Sequence, residues 1–396
     1  MNWGFQRKYD SEVQKVSEGS ASPSDRFAFK LFRELIRGRE TSNVFFSPFS
    51  VQLCLLMVWE GASEQTREAM GRVLELSGER LEPAQRPARI LEVRQLLSSA
   101  LAIRDPGIEL AIANSLWCDS QRRVQSAYVL EVKKHYAAEV FSIAMAGQES
   151  LARINSWVAE KTRGKISEIL DSLDPFTLLV AVNAIYFKGL WREPFEKRLT
   201  RMEPFLAAGK QSIQVPLMHQ DDEYPYYEER SFQAVRLPYQ GGRLGMYLFL
   251  PAKDSSLPDF LRTATPALWN RWLGCFRETA GIVALPRFKF EYGVRLGPIL
   301  KSLGMGQAFQ PGTARFDYIS PPPPPLWLGD VRHRAVVEVN EEGTEAAATT
   351  ATTITLAAAL RPPPPFKMIV DRPFFFAIRD ERSGSLLFMG AVNNPA

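Results

Sequence analysis

VRHRAVVEVNEEGTEAAATTATTITLAAAL (Val331–Leu360) changes character part-way along. The first part, with AVVEVN at its centre, has the β-branched content of a strand. After Glu345 no charge appears until Arg361, and the fifteen residues between are seven Ala, five Thr, two Leu and one Ile. A surface loop is normally richer in Gly, Asn, Asp and Ser, and a core strand in Val, Ile and aromatics. The stretch fits neither description. Taken with a period of two, its even positions are Thr344, Ala346, Ala348, Thr350, Thr352 and Ile354. None is charged and all but the last are small, while Glu345 falls on the opposite face. As a strand, the even face could slide beneath packed helices without burying an unpaired charge, which would be heavily penalised. Gly343 permits the sharp backbone change that a hinge needs.

The rest of the chain is ordinary in bulk. It has 396 residues, 45% hydrophobic and 23% charged, and its net charge of +4 comes from 48 basic and 44 acidic side chains. The two signs are interspersed, so no basic stripe argues for nucleic acid. Cys54, Cys118 and Cys275 are far apart and odd in number, with no CxxC or Cys/His cluster. Free, mostly buried thiols are expected, with no disulfide framework and no zinc site. MNWGFQRKYDSEVQK at the start has no apolar run of signal-peptide length. Phe176–Phe187, the longest apolar region, is too short to span a bilayer and is interrupted by Asn183. The expectation is a soluble protein that does not act at a membrane.

Along the chain, residues 1–23 read as a flexible polar segment. Ser24 then offers an N-cap and Gly38 a stop for SDRFAFKLFRELIRG, whose Phe27, Leu31 and Leu35 share one helical face. A short strand in NVFFSPFS breaks at Pro48, a buried helix follows in SVQLCLLMVWEG, and SEQTREAMGRVLEL is amphipathic. IELAIANSLWC alternates like a strand, and helices are expected near Ala127–Ala138 and Glu149–Lys161. Thr177–Trp191 is continuously apolar, as a strand buried on both faces should be. After Met202 short β-like runs dominate. A helix-rich first half and a strand-rich second half indicate an α+β fold, with residues 24–396 forming one domain. The proline runs Pro321–Pro325 and Pro362–Pro365 should be stiff, extended surface segments.

Catalytic machinery is absent from the sequence. There are only three histidines, His135, His219 and His333, and no GxSxG, HExxH, P-loop or GxGxxG motif. The chain is not expected to be an enzyme.

Val331–Thr352 closely resembles the strand-plus-hinge signature of the serpins, a family of protease inhibitors that work by suicide insertion. The likeness runs from about Ser24 to Pro395. It is carried in order by NVFFSPFSVQLCL, NSWVAEKTRGKI, AVNAIYFKGLWREPF, VALPRFKFEYG and DRPFFFAIRDERSGSLLFMGAVNNP. The resemblance implies three β-sheets, about nine helices and an exposed reactive loop, here residues 341–365. It implies a target serine protease as covalent partner, a monomer, no cofactor, and an extracellular setting, or a cytoplasmic one if the missing leader is real. Loop insertion in this family is an instance of strand addition that releases stored strain.

The same resemblance implies site roles. Gly343, Thr344, Glu345, Ala346, Ala347 and Ala348 match the hinge, and their small residues keep the inhibitory pattern. The scissile bond usually lies about fourteen residues past the hinge glycine, giving Ala357–Ala358. Leu356 and Leu360 are neighbouring alternatives, and Arg361–Pro362 is a poor site because proline is rigid. A small residue at 357 suggests an elastase-like or subtilisin-like target; recognition of Leu356 or Leu360 would suggest a chymotrypsin-like one. A cysteine-protease target and a non-inhibitory carrier or chaperone are the alternatives. Ser47, Ser50, Asn183 and His333 match the shutter beneath the main sheet, and Trp191 the breach where insertion begins. Arg287 and Glu341 occupy positions that pair in relatives, expected here as a surface ion pair of about 0–1 kcal/mol.

Overall fold

The computed structural model describes residues 21–76, 86–145, 147–174, 176–209, 211–343 and 364–396. The N-terminal twenty residues, hinge positions Thr344–Ala348 and the bonds from Leu356 to Arg361 lie outside these.

Helix α1 (Pro23–Ile36) starts at Ser22, whose Oγ accepts from the Asp25 N–H at 3.0 Å. The anticipated cap Ser24 is therefore inside the helix. Proline prefers the first helical position, and Pro23 moves the cap one residue upstream of itself. Strand β1 (Val44–Phe46) leads into α2 (Pro48–Glu60), capped by Ser47 in the same way and buried from Pro48 to Trp59. Then come α3 (Glu64–Val73), α4 (Arg86–Leu101), β2 (Ile108–Asp119), α5 (Ser126–Tyr136), β3 (Glu139–Ile143), α6 (Gln148–Lys161) and β4 (Leu179–Gly189). The strand-rich half holds β5 (Arg201–Leu206), β6 (Ser212–Glu229), β7 (Phe232–Pro238), β8 (Leu244–Pro251), α7 (Leu257–Thr263), α8 (Pro266–Leu273), β9 (Arg277–Pro286) and β10 (Phe288–Arg295). It ends with α9 (Gly297–Leu300), β11 (Asp330–Val339), β12 (Phe366–Ile369), β13 (Phe374–Asp380) and β14 (Leu386–Val392). Helices α4, α7, α8 and α9 go beyond those anticipated.

One sheet has five strands in the order β10-β11-β4-β2-β3, and the other has nine, with β6 at its junction. β6 is 18 residues long and pairs with β5, β7 and β9, so it joins into one ladder what the resemblance counts as two sheets. In the five-stranded sheet β11 and β4 are direct parallel neighbours, from Asp330 opposite Val180 to Val336 opposite Tyr186. Their side chains alternate. Leu179, Ala181, Ile185, Phe187, Val331, Ala335 and Val337 join the large core shared with α2. Val180, Val182, Ala184 and Tyr186 pack with Trp117, Ile154 and Val158 of β2 and α6. This two-sided burial explains the unbroken apolar run in β4.

Pro321–Pro324 are exposed, as expected. Cys54 and Cys118 are free and buried, and burial pushes both thiols up to about 12; Cys275 is free and half-buried. No described helix is long and apolar enough to cross a membrane.

Candidate functional site

Two polar clusters interrupt the apolar faces of β4 and β11, one at mid-strand and one at the top. At mid-strand, Asn183 and His333 are rung partners, and both point into the core that α2 fills. Both are essentially fully buried, as are Ser47 and Ser50. His333 Nε2 accepts from the Ser47 backbone N–H at 3.2 Å. That N–H can only donate, so Nε2 carries no proton and Nδ1 does. Nδ1–H donates to Asn183 Oδ1 at 2.5 Å. Asn183 Nδ2 donates to Ser50 Oγ at 2.5 Å and also to Asn114 Oδ1 on β2. The Ser50 N–H donates to Ser47 Oγ at 3.0 Å, the bond that caps α2. Burial lowers the His333 pKa from 6.5 to about 3, so the ring is neutral at any physiological pH. The chain of bonds thus ties the start of α2 to three strands.

The four residues expected to cluster do so. Asn114 belongs with them and was missed. The signal was present: in IELAIANSLWC an asparagine occupies an otherwise apolar strand, and buried Asn requires partners.

At the top of the sheet the β4–β11 ladder stops at Val336 and Tyr186, although β11 continues to Val339 and β4 to Gly189. Beyond β11 the chain turns back. Asn340 N–H donates to Gly343 O at 2.8 Å, and Gly343 N–H returns a bond to Asn340 O at 3.2 Å. Gly343 also forms an antiparallel bridge to Leu190, just past β4. It therefore lies between the two parted strand ends. Its φ is +132°, and a Cβ there would overlap Gly189 O and lie 2.7 Å from Leu190 Cα. Only glycine fits.

Trp191 anchors this turn. Its backbone N–H donates to Glu342 O, and its indole Nε1–H donates to Asn340 O, both at 3.0 Å. The ring stacks on Tyr239 with centroids 4.6 Å apart and planes 14° from parallel. The Phe195 N–H donates to Glu341 O at 2.8 Å.

Arg287 and Glu341 pair as expected, with Nε to Oε1 at 2.8 Å and a second contact from Nη2. The expectation of a surface pair is corrected. The Glu341 side chain is 3% exposed, against 42% for Arg287. The turn tucks the carboxylate inward, where Thr200 Oγ1 also donates to it. Burial alone would raise its pKa, but the hydrogen bonds from Arg287, Thr200 and its own backbone outweigh burial and hold it below the usual glutamate value. Glu342 pairs with Lys197, so both glutamates of the turn are neutralised.

The family model described as serpin (serine protease inhibitor) matches residues 22–395. A serpin-like protein of Thermococcus kodakarensis is 37% identical over 98% of this chain and 88% of its own length. The native-state structure of the thermophilic serpin tengpin superposes with a TM-score of 0.83 at 27% identity, covering 96% of this chain and 95% of its own. Thyroxine-binding globulin in complex with thyroxine gives a TM-score of 0.84 at 26% identity, covering 95% of this chain and 99% of its own. With the family match spanning nearly the whole chain and the fold superposing on solved serpin structures over most of its length, the protein belongs to the serpins, a family whose members are mostly protease inhibitors and not enzymes.

Proposed function

We propose that the protein is a suicide-substrate inhibitor of serine proteases, cut at Ala357–Ala358. The protease serine attacks the Ala357 carbonyl, forms an ester there and releases the Ala358 amine. The freed loop then enters the five-stranded sheet between β4 and β11, and the tethered protease is dragged and distorted before it hydrolyses the ester. About fourteen inserted residues at ~3.3 Å each span roughly 45 Å. The inhibitor supplies no catalytic group.

The observation that carries this reading is the double bridge of Gly343, to Asn340 on one side and Leu190 on the other. These are the first rung of a strand antiparallel to both neighbours. Continued downward, residue 347 falls opposite both Val336 and Tyr186, which are already rung partners. Residue 350 likewise falls opposite both His333 and Asn183. The two ladders thus predict one consistent register for the entering strand. In it, Thr344, Ala346, Ala348, Thr350 and Thr352 share the core-facing side with His333 and Asn183. Small, uncharged residues suit that side. Thr350 brings a hydroxyl to the buried mid-strand polar cluster, where the Asn183–His333 network can re-form around it. On this reading Ser47, Ser50, Asn183 and His333 act as shutter, and Trp191, Arg287 and Glu341 hold the breach.

Incubation with elastase, subtilisin, chymotrypsin and trypsin, followed by denaturing gels, tests the proposal. An elastase-like or subtilisin-like enzyme is expected to give a covalent complex resistant to denaturation. Cleavage without complex and without a rise in Tm would sink it and favour a non-inhibitory carrier or chaperone; thyroxine-binding globulin is by its name a protein of this fold that binds a small ligand.

A further inference from the structure

The segment 162–178, which leads from α6 to β4, is tied down on both sides of the seam between β4 and β11. On the α6 side Asn155 holds it with three bonds. Asn155 Oδ1 accepts from the Ile169 N–H at 2.9 Å and the Leu170 N–H at 3.0 Å, and Nδ2 donates to Leu170 O at 2.8 Å. Ile166, Ile169 and Leu170 are buried in one cluster with Val180, Val182 and Ala184 of β4, Trp117 of β2, and Ile154 and Val158 of α6. This half of the strap thus belongs with α6, β2 and β4. The next two residues are tied to β11 instead. Arg332 Nη1 donates to Asp171 Oδ1 at 3.1 Å, and Nη2 donates to Ser172 O at 3.4 Å. Arg332 is the rung partner of Val182, so its side chain emerges on the face that carries α6.

Leu170 and Asp171 are joined by one peptide bond, so there is no slack between the two attachments. Admitting a strand between β4 and β11 moves these strands apart by one further strand spacing, about 4.8 Å. No hydrogen bond survives a displacement of that size. Either the Asn155 bonds or the Arg332 bonds must give. The two attachments are unequal. Asn155 makes three bonds to the backbone of a buried segment, whereas the Asp171 side chain is 77% exposed and water can replace its bond. Arg332 also keeps a partner when the strap leaves. Its Nε donates to Asp330 Oδ2 at 2.6 Å, and both of those side chains are buried.

We infer that Arg332 is a releasable fastener: it holds the α6–β4 strap closed across the seam, and its release from Asp171 and Ser172 sets how fast a strand can enter. It rests on the insertion reading above. It adds to that reading a positioning residue that governs the rate of entry.

A synthetic peptide of the sequence Thr344–Ala357 supplies the entering strand without a protease. It is incubated with the intact protein, and annealing is followed by the rise in Tm. Asp171→Ala removes the exposed partner of the fastener. Glu139→Ala is the control, since it removes the ion pair with Lys161 that ties α6 to β3 without crossing the seam. Asp171→Ala should anneal about threefold to tenfold faster than the parent, as expected for a charged hydrogen bond with one exposed partner. Glu139→Ala should anneal at the parent's rate. Added salt should quicken the parent more than Asp171→Ala, because the pair that salt screens is gone from the variant. In a reaction where a protease is partly trapped, the ratio of covalent complex to cleaved protein should rise by the same factor in Asp171→Ala. Equal values for Asp171→Ala and the parent overturn the fastener while sparing insertion. The same acceleration in Glu139→Ala also overturns it, because any loosening of α6 would then suffice. If neither the peptide nor cutting of the parent's loop raises Tm, the insertion reading fails, and this inference with it.

Discussion

Gly343 and Leu190 are bridged antiparallel at the top of the five-stranded sheet, in a place where a side chain at 343 would collide with the carbonyl of Gly189. The contact fixes a chain that has begun to reverse at the end of β11. Gly343→Ala should therefore destabilise the intact protein by about 1–3 kcal/mol, the usual cost of forcing a side chain into such a backbone region. Urea unfolding of the intact variant measures it. An unchanged midpoint would mean that the turn Asn340–Gly343 is not held as described.

The continued register separates loop positions that composition treats alike. In the proposed inserted strand Thr344 and Thr350 would fall on the core-facing side, and Glu345 on the other. On the proposed insertion, Thr344→Arg or Thr350→Arg should yield cleaved protein in place of covalent complex, because either would bury an unpaired guanidinium. Glu345→Arg should largely preserve complex formation. The ratio of complex to cleaved protein on denaturing gels reads the difference, and three variants with equal yields would refute the register.

Much of this was legible in sequence because it is carried by local chemistry. The break at Pro48 and the apolar run after it mark α2 to within two residues, while Ser47, Ser50, Asn183 and His333 were brought together by the resemblance to the serpins and not by anything local. Other features are tertiary. Burial of Glu341 depends on a turn that folds back toward Thr200 and Arg287, and nothing local distinguishes it from the neighbouring Glu342. The length of β6, which fuses two sheets into one ladder, depends on which strands flank it. The early start of α1 was misread because Ser22 and Ser24 both suit a cap, and only the position of Pro23 decides between them.

Arg287→Ala leaves the Glu341 carboxylate inward with Thr200 as its remaining side-chain partner. A hydrogen bond to a charged group is worth about 1.5–3 kcal/mol, and the half-exposed guanidinium puts this one toward the lower end. The intact variant should lose about 1–2 kcal/mol at pH 7. Glu341→Gln should lose less, because the amide removes the buried charge. In the parent the Glu341 carboxyl is held below the ordinary value, so the contribution is present above about pH 4.5 and lost as pH falls through the folded value. Equal losses in the two variants would show that the pair adds nothing beyond packing.

His333 gives a second and separable pH dependence. The unfolded chain binds a proton at this imidazole near pH 6.5, whereas the folded protein does so only near pH 3. Between these values the unfolded state holds more protons, so stability rises with pH. The contribution is complete above about pH 6.5 and falls by about 1.4 kcal/mol per unit as pH drops toward the folded value. From about pH 6 to 5 carboxylates scarcely titrate, and comparison with His333→Gln removes whatever His135 and His219 contribute to both curves. His333→Gln should be less stable than the parent at pH 7, since Ser47 and Asn183 lose well-placed partners. Its unfolding free energy should also change less over that interval, so the two curves converge on acidification. Parallel curves from urea titrations at about pH 5, 6 and 7 would mean that the ring is not held neutral between Ser47 and Asn183.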